Sequence, residues 1–441
     1  VVVRSNVIAR DVIVRQSRSN LCLQNKMRKL FFSIVALISV PLFPARLLIY
    51  MDTMQTNHLS AYGIAYQALL LERKVEWLLN YRGGSFLIDY DKGIENICRK
   101  KGVRYSTVNE ASVRQIYKVV EDENMEKVIL EEAPKIAVYV PPHFSPWDDA
   151  VRLVLDYAGI PYDAIWDEEV LSGALSSYDW VHLHHEDFTG QYGKFYRSYH
   201  NVDWYKREVS INENMAKRLG FSSVWKLKHA VALKIRKYVE EGGFLFAMCS
   251  ATETVDIALS AYDVDIVGIP FDGTTADPEY KNKLDYSGTF AFKDFTPDVN
   301  PLIYNHSDID VTREAQMRGE KVYFTLKNFN AKYDPIPTML SQNHTKYIKE
   351  FLGQNTGFRR NFIKDDAVVL GDIEGSEEVK YIYGDRGKGF FTFLGGHDPE
   401  DYAHLVGDPP TDLKNFPNSA GYRLILNNIL FPAAKTKRLK T

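Results

Sequence analysis

The run Phe244–Met248 constrains this chain more than any other segment. Its residues, Phe244-Leu245-Phe246-Ala247-Met248, are all apolar and do not alternate with polar ones. Such a run reads as a strand buried on both faces, the kind found in parallel sheets covered by helices on either side. A helix predicted over residues 226–241 precedes it and stops at Gly242-Gly243. Further strands are predicted over 136–140, 162–165, 178–184, 379–383 and 390–394, with helices near 147–158 and 421–430. Short strands alternating with helices at this spacing predict an α/β domain, a flavodoxin-like parallel sheet with helices on both faces. The rhythm begins at Arg46, with a strand at 47–50, a helix at 58–72, a strand at Val75–Leu79 and a mostly helical, charged stretch over 91–125. It breaks over 262–379, which reads as an elaboration inserted between core elements, with a charged helix near 344–351, shaping the mouth of a cleft. The domain therefore runs over 46–432, followed by a solvated basic tail at 433–441.

Composition excludes several classes of function. Lys+Arg at 54 against Asp+Glu at 57 leaves a net charge of -3, with no general attraction to nucleic acid. The three cysteines, Cys22, Cys98 and Cys249, exclude a disulfide framework. Lys26-Met27-Arg28-Lys29 precedes an apolar run over 30–40, the pattern of a secretory signal rather than a membrane span. Residues 1–45 are thus expected to be an upstream extension and signal peptide cleaved near Ala45. The mature chain is expected to be periplasmic or extracellular, with no stable membrane insertion.

The chemistry concentrates at strand ends. A strand that stops at Cys249 and turns directly into a helix exposes the sulfur to free backbone N–H groups and a positive helix end. These favour a thiolate and can stabilise an oxyanion. The Ser250 N–H is the first candidate donor, and the backbone of His185 or Glu186 a second. His397 also follows an apolar strand, so it should project from the same sheet edge as Cys249. There it could take the thiol proton, with Asp398 or Glu400 orienting its ring. The alternatives stay open: Cys249 as an inert core residue, and Gly395-Gly396-His397-Asp398-Pro399 as a rigid turn. Gly83 and Gly84, after the strand at 75–79, permit close backbone approach at a cleft or simply make a turn. His182, His184 and Asp187, with His185 and Glu186 between them, are a weak candidate metal set, His182 and His184 sharing one strand face. No cofactor is implied.

The Cys249 elbow, the 178–190 segment and the late His397 loop resemble the class I glutamine amidotransferase-like superfamily, and Gly396-His397-Asp398 resembles its trehalose-utilisation (ThuA-like) group. Met51-Asp52, Gln55-Thr56-Asn57-His58-Leu59, residues 80–86 and residues 393–401 resemble bacterial exported proteins labelled asparagine synthetase B, over most of 46–432. The resemblance implies Cys249 as nucleophile, His397 as base and an acidic partner. The superfamily pattern sets its glutamate two residues beyond the histidine, where this chain has Pro399; Ala251 likewise replaces the usual glycine two residues past the nucleophile. Asparagine synthetase chemistry itself does not fit, because no cysteine lies at the expected mature N-terminus and no phosphate loop of the GxxxxGK[ST] type is found. The expectation is a cysteine-dependent hydrolase acting on a small molecule with an amide or related acyl bond. The alternatives are a non-catalytic or carbohydrate-binding module and a metal-dependent hydrolase at 182–187.

Overall fold

The structure is a computed structural model and describes residues 46–142, 149–334 and 337–435. The expected leader therefore lies outside the described residues, as does the end of the basic tail. Among the described residues no helix is long and apolar enough to cross a membrane.

The described chain is built on two sheets. The first is antiparallel and five-stranded: β1 (Arg46–Ile49), β2 (Val75–Leu79), β3 (Ser85–Asp89), β4 (Tyr105–Val108) and β5 (Glu126–Leu130), in the order β4-β1-β3-β2-β5. The second has ten strands: β6 (Ile136–Tyr139), β7 (Asp163–Ile165), β8 (Trp180–Leu183), β9 (Phe244–Met248), β10 (Tyr323–Leu326), β11 (Tyr347–Lys349), β12 (Phe358–Arg359), β13 (Val368–Asp372), β14 (Glu378–Arg386) and β15 (Gly389–Leu394). Its order is β11-β10-β13-β14-β15-β9-β8-β6-β7, with β12 on β14. The half from β15 to β7 is parallel and the half from β15 to β11 antiparallel. A mixed α/β architecture, with helices flanking a partly parallel sheet, is the result.

Side chains sort by the period-2 rule of strands. Ile136, Val138, Trp180, Phe244, Phe246 and Met248 face one core, together with the inner face of the first sheet and the helices His58–Leu70, Ala150–Ala158 and Ala420–Leu430. Ala137, Tyr139, Val181, Leu183, Leu245 and Ala247 face the other, against the helices Val224–Glu241 and Ala251–Ser260. Both faces of β9 are thus buried, as its unbroken apolar run requires. The outer face of the first sheet, through Leu48, Leu78 and Leu87, is covered by the helix Glu110–Asp122.

Four local expectations are corrected. The segment from Arg46 makes a separate antiparallel sheet; it is covered on both faces, so its strands carry the apolar runs expected of buried parallel ones. Residues 91–125 hold β4 between two helices. The stretch at 344–351 is not a helix: Tyr347–Lys349 is an edge strand with every second side chain exposed. Residues 262–379 are not only a cap, since β10, β11 and β13 continue the sheet beyond β14. The basic tail is also anchored where it starts: Ala434 bridges Leu130, and the Lys435 N–H donates to Ile129 O at 2.9 Å.

Candidate active site

β9 and β15 pair in parallel with Met248 opposite Leu394, so Cys249 and the loop bearing His397 leave the sheet at one edge. Cys249 has φ 49°, in the left-handed region. A non-glycine residue held there costs about 1–3 kcal/mol and persists only where its surroundings over-determine it. The surroundings do so here. The Cys249 N–H donates to Gly396 O at 3.2 Å, and the Thr252 hydroxyl donates to Cys249 O at 2.6 Å. The Ala251 N–H donates to His184 O at 3.2 Å, and the helix Ala251–Ser260 starts at once, with Ser250 at its cap position.

The sulfur is 2% exposed and accepts the Gln354 N–H at 3.3 Å. Burial by itself pushes the thiol up. The hydrogen bond and charge of His397, with the backbone N–H groups of Asn355 and Gln354, outweigh burial and hold the thiol below its ordinary value. Gln354 and Asn355 lie in the inserted region. Their contribution is made by backbone donors, which no side-chain pattern announces.

The same loop seats His397. The His397 N–H donates to Leu352 O at 2.8 Å and the Gly396 N–H to Asn355 O at 2.7 Å. Gly396 has φ 95°, and a Cβ there would lie 2.4 Å from the Phe351 ring. The His397 ring stacks on His404 at 4.7 Å, and its Nδ1 meets His184 Nε2 at 3.0 Å. Behind it, His184 Nδ1 lies 3.3 Å from His182 Nε2, and His182 Nδ1 reaches Phe246 O at 3.0 Å. Asp149 Oδ1 is 3.5 Å from both His182 Nε2 and His184 Nδ1 while accepting the Val151 and Arg152 N–H groups at the start of the helix Ala150–Ala158. Burial would raise the Asp149 carboxyl, but His182 and His184 more than reverse that, leaving it well below the carboxylate range. Burial drives His184 well below its ordinary value despite Asp149.

The expected residues do not all converge. Asp398 Oδ1 accepts the Glu400 N–H at 2.8 Å. The Glu400 carboxyl, raised by burial, bonds Ser419. Neither carboxylate is what His397 Nδ1 meets. His185 lines the same pocket as Cys249 and His397. Glu186 is not among the residues lining that pocket; its side-chain Oε2 accepts the His184 N–H at 2.7 Å, and burial followed by the charge of Asp149 pushes the carboxyl up to about 8. Asp187 braces its own loop, accepting the Thr189 and Gly193 N–H groups at 2.7 and 2.8 Å. It stands apart from His182 and His184, whose carboxylate neighbour is Asp149. Gly83 and Gly84 sit in the β2–β3 turn against Met51, Gln342 and Trp77, away from the Cys249 pocket. Among the described residues, His184, His185 and His397 form one trio close enough to hold an ion, and Asp149, His182 and His184 another.

In front of Cys249 is a cavity of about 290 Å³, walled by Phe195, Tyr199, Tyr304, Thr312, Gln316 and Gln354. A larger one, about 570 Å³, opens at the opposite ends of β9 and β15, beside Phe244 and Phe390. The smaller is at the carboxyl ends of the parallel strands, where ligands of open α/β sheets bind.

No protein-family model matches the chain. No curated protein matches it either. Among solved structures, two cytoplasmic proteins of Salmonella typhimurium are 13% and 14% identical, with TM-scores of 0.32 and 0.33, each alignment covering 68% of this chain and 100% of theirs. A β-galactosidase from Rahnella sp. is 11% identical with a TM-score of 0.24, covering 61% of this chain and 29% of the enzyme. At these scores the likenesses carry no argument about this protein.

Proposed function

We propose that this chain is a cysteine-dependent hydrolase of an amide or related acyl bond, resembling the class I glutamine amidotransferase-like proteins. The observation that carries the reading is Cys249, held at positive φ between a buried strand and a helix, with its sulfur against the His397 ring. The parallel order β7-β6-β8-β9-β15 supports it, being the flavodoxin-like order 2-1-3-4-5 with the nucleophile on the fourth strand. In the reaction, His397 takes the Cys249 thiol proton as Sγ attacks the carbonyl carbon and the carbonyl electron pair moves to oxygen, to which the Ser250 N–H would donate. Collapse breaks the C–N bond as His397 gives its proton to the leaving nitrogen. A water then attacks the thioester and passes a proton to His397. The C–S bond breaks to release the carboxylic acid, and His397 returns its proton to Sγ.

The test combines labelling with turnover. Iodoacetamide at pH 7 should modify Cys249 at least tenfold faster than Cys98, whose thiol burial pushes up to about 12. A panel of small amides and thioesters should contain a substrate whose turnover is lost in Cys249→Ala and kept in Cys98→Ala. Full turnover by Cys249→Ala sinks the proposal. A carbohydrate-binding role is the second reading, favoured by the Phe195, Tyr199 and Tyr304 rings at the cavity. Glycan binding that survives Cys249→Ala in a protein without turnover selects it.

A further inference from the structure

We propose that His182 and His184 are positioning residues that fix the tautomer of His397, anchored by the backbone carbonyl of Phe246. The inference rests on the hydrolase reading for its purpose, while its geometry stands independently.

Two groups in this row of contacts can only accept, the Phe246 carbonyl and the Asp149 carboxylate. A carbonyl oxygen only accepts, so the His182 Nδ1 that lies 3.0 Å from Phe246 O carries a hydrogen and donates it. In the neutral ring this leaves Nε2 as an acceptor, and the atom facing it, 3.3 Å away, is His184 Nδ1. His184 Nδ1 is therefore the donor of that pair, and its hydrogen is the one available to Asp149 Oδ1, which lies 3.5 Å from both nitrogens. His184 Nε2 is then an acceptor in turn, and the His397 Nδ1 at 3.0 Å must donate to it. The order ends at His397 Nε2, which is left with a lone pair on the ring that meets the Cys249 thiol. A base needs that lone pair, and the tautomer of a catalytic histidine is set by what its other nitrogen touches. In this protein the setting is done by a second histidine instead of a carboxylate.

Packing keeps the anchor from turning. The His182 ring lies between Trp180, at 5.8 Å and 14°, and Phe246, at 5.4 Å and 28°, and both His182 and His184 are fully buried. Flipping His182 would place a ring carbon against Phe246 O in a site without water access. Asp149 supplies the countercharge when His397 takes the thiol proton, two histidines behind the reacting atom.

Nitrogen-detected NMR on the full chain with ring-labelled histidine reads the tautomers directly, since bare, protonated and metal-bound ring nitrogens have separate shifts. At pH 8 in the presence of chelator, His182, His184 and His397 are expected to carry their hydrogen on Nδ1. His182→Phe keeps the ring stack and removes the anchor, so His184 and His397 should become tautomer mixtures and Cys249 alkylation should slow by roughly tenfold. Asp149→Asn keeps an oxygen for the helix start. It should preserve the tautomer order while slowing alkylation. His184 or His397 found with hydrogen on Nε2 in the unmodified protein overturns the inference, as does a metal-bound shift on any of the three rings. An unchanged His397 tautomer in His182→Phe overturns it too. If the tautomers are as stated but Cys249 does not alkylate, the hydrolase reading fails and the relay stands.

Discussion

Gly353→Ala should uncouple the inserted loop from the cysteine without changing the Cys249 or His397 side chain. A Cβ at Gly353 would lie 2.8 Å from the His397 nitrogen and 2.9 Å from the Gly396 Cα and carbonyl carbon. All three are backbone atoms of the turn that seats His397, so no flexible side chain can yield. The loop must retreat by several tenths of an ångström, and overpacking of this kind costs about 1–3 kcal/mol of stability. The retreat lengthens and weakens the Gln354 N–H to Cys249 Sγ bond from 3.3 Å, an ordinary length for a sulfur acceptor. A hydrogen bond to a charged group contributes about 1.5–3 kcal/mol. Losing half of one raises the thiol by about half a unit to one pKa unit, since a unit is worth about 1.4 kcal/mol. The assay is the alkylation rate of Cys249 against pH, by peptide mapping, beside a thermal melt. The midpoint should move up by about half a unit to one unit, with a rate about three- to tenfold lower on the acid side. A lowered melting temperature with an unmoved alkylation profile would refute the claim that this loop's backbone activates the thiol. If neither moves, the close packing at Gly353 is itself wrong.

Two further outcomes concern stability. The Asp256 carboxylate accepts the N–H groups of Phe290, Ala291 and Phe292 at 2.6, 2.8 and 3.0 Å in a fully buried site, pinning the start of the inserted region to the helix after Cys249. Asp256→Ala strands those donors and should cost about 3 kcal/mol or more in denaturant titration; a loss under 1 kcal/mol would mean the segment is held from elsewhere. His58 is lowered to about 4 by burial and then by the charge of Arg423. A histidine with a depressed folded value leaves the unfolded chain binding more protons between about 4 and 6.5, so stability falls as pH drops through that window. His58→Gln should flatten that part of the pH–stability curve, and an unchanged slope would remove His58 as its source.

The parts of this architecture legible in the sequence are those written in side-chain pattern. An apolar run without alternation could only be a strand covered on both faces, and β9 is one. Cys249 and His397 could be assigned to one sheet edge because each follows such a run. The first sheet is covered on both faces, so its strands read like the parallel strands that follow. His182 lies in β8 and His184 just beyond its end, with their rings 5.4 Å apart, but spacing alone does not separate a metal set from a hydrogen-bonded row. Asp149 carried no signal beyond that of a helix start, which it also is. Gly83 and Gly84 promised close backbone approach and deliver it, against Met51 and Gln342 instead of a ligand. The donors to Cys249 were the least readable, because a peptide N–H is the same under Gln354 and Asn355 as anywhere else.

The helix Ala420–Leu430 has a consequence for the order in which a ribosome makes this protein. Arg423, fully buried, donates to Met51 O across 372 positions and to Gly83 O across 340, and Asn418 receives the His58 N–H. The layer that covers the inner face of the first sheet is thus completed by a helix synthesised long after it. At about 5–20 residues per second, the 372 positions between Met51 and Arg423 correspond to roughly 20–70 s. Throughout that interval the strands around Leu47, Ile49, Trp77 and Phe86 have the helix His58–Leu70 against them, through Tyr62 on Trp77 and Phe86, but that helix lacks the Ala420–Leu430 partner that packs on it. A nascent chain in this state presents apolar surface, the feature that recruits holding chaperones and leads to aggregation when they are absent. Ribosome stalling between about residues 130 and 415 should therefore yield an insoluble or chaperone-bound product, and release past Leu430 a folded one.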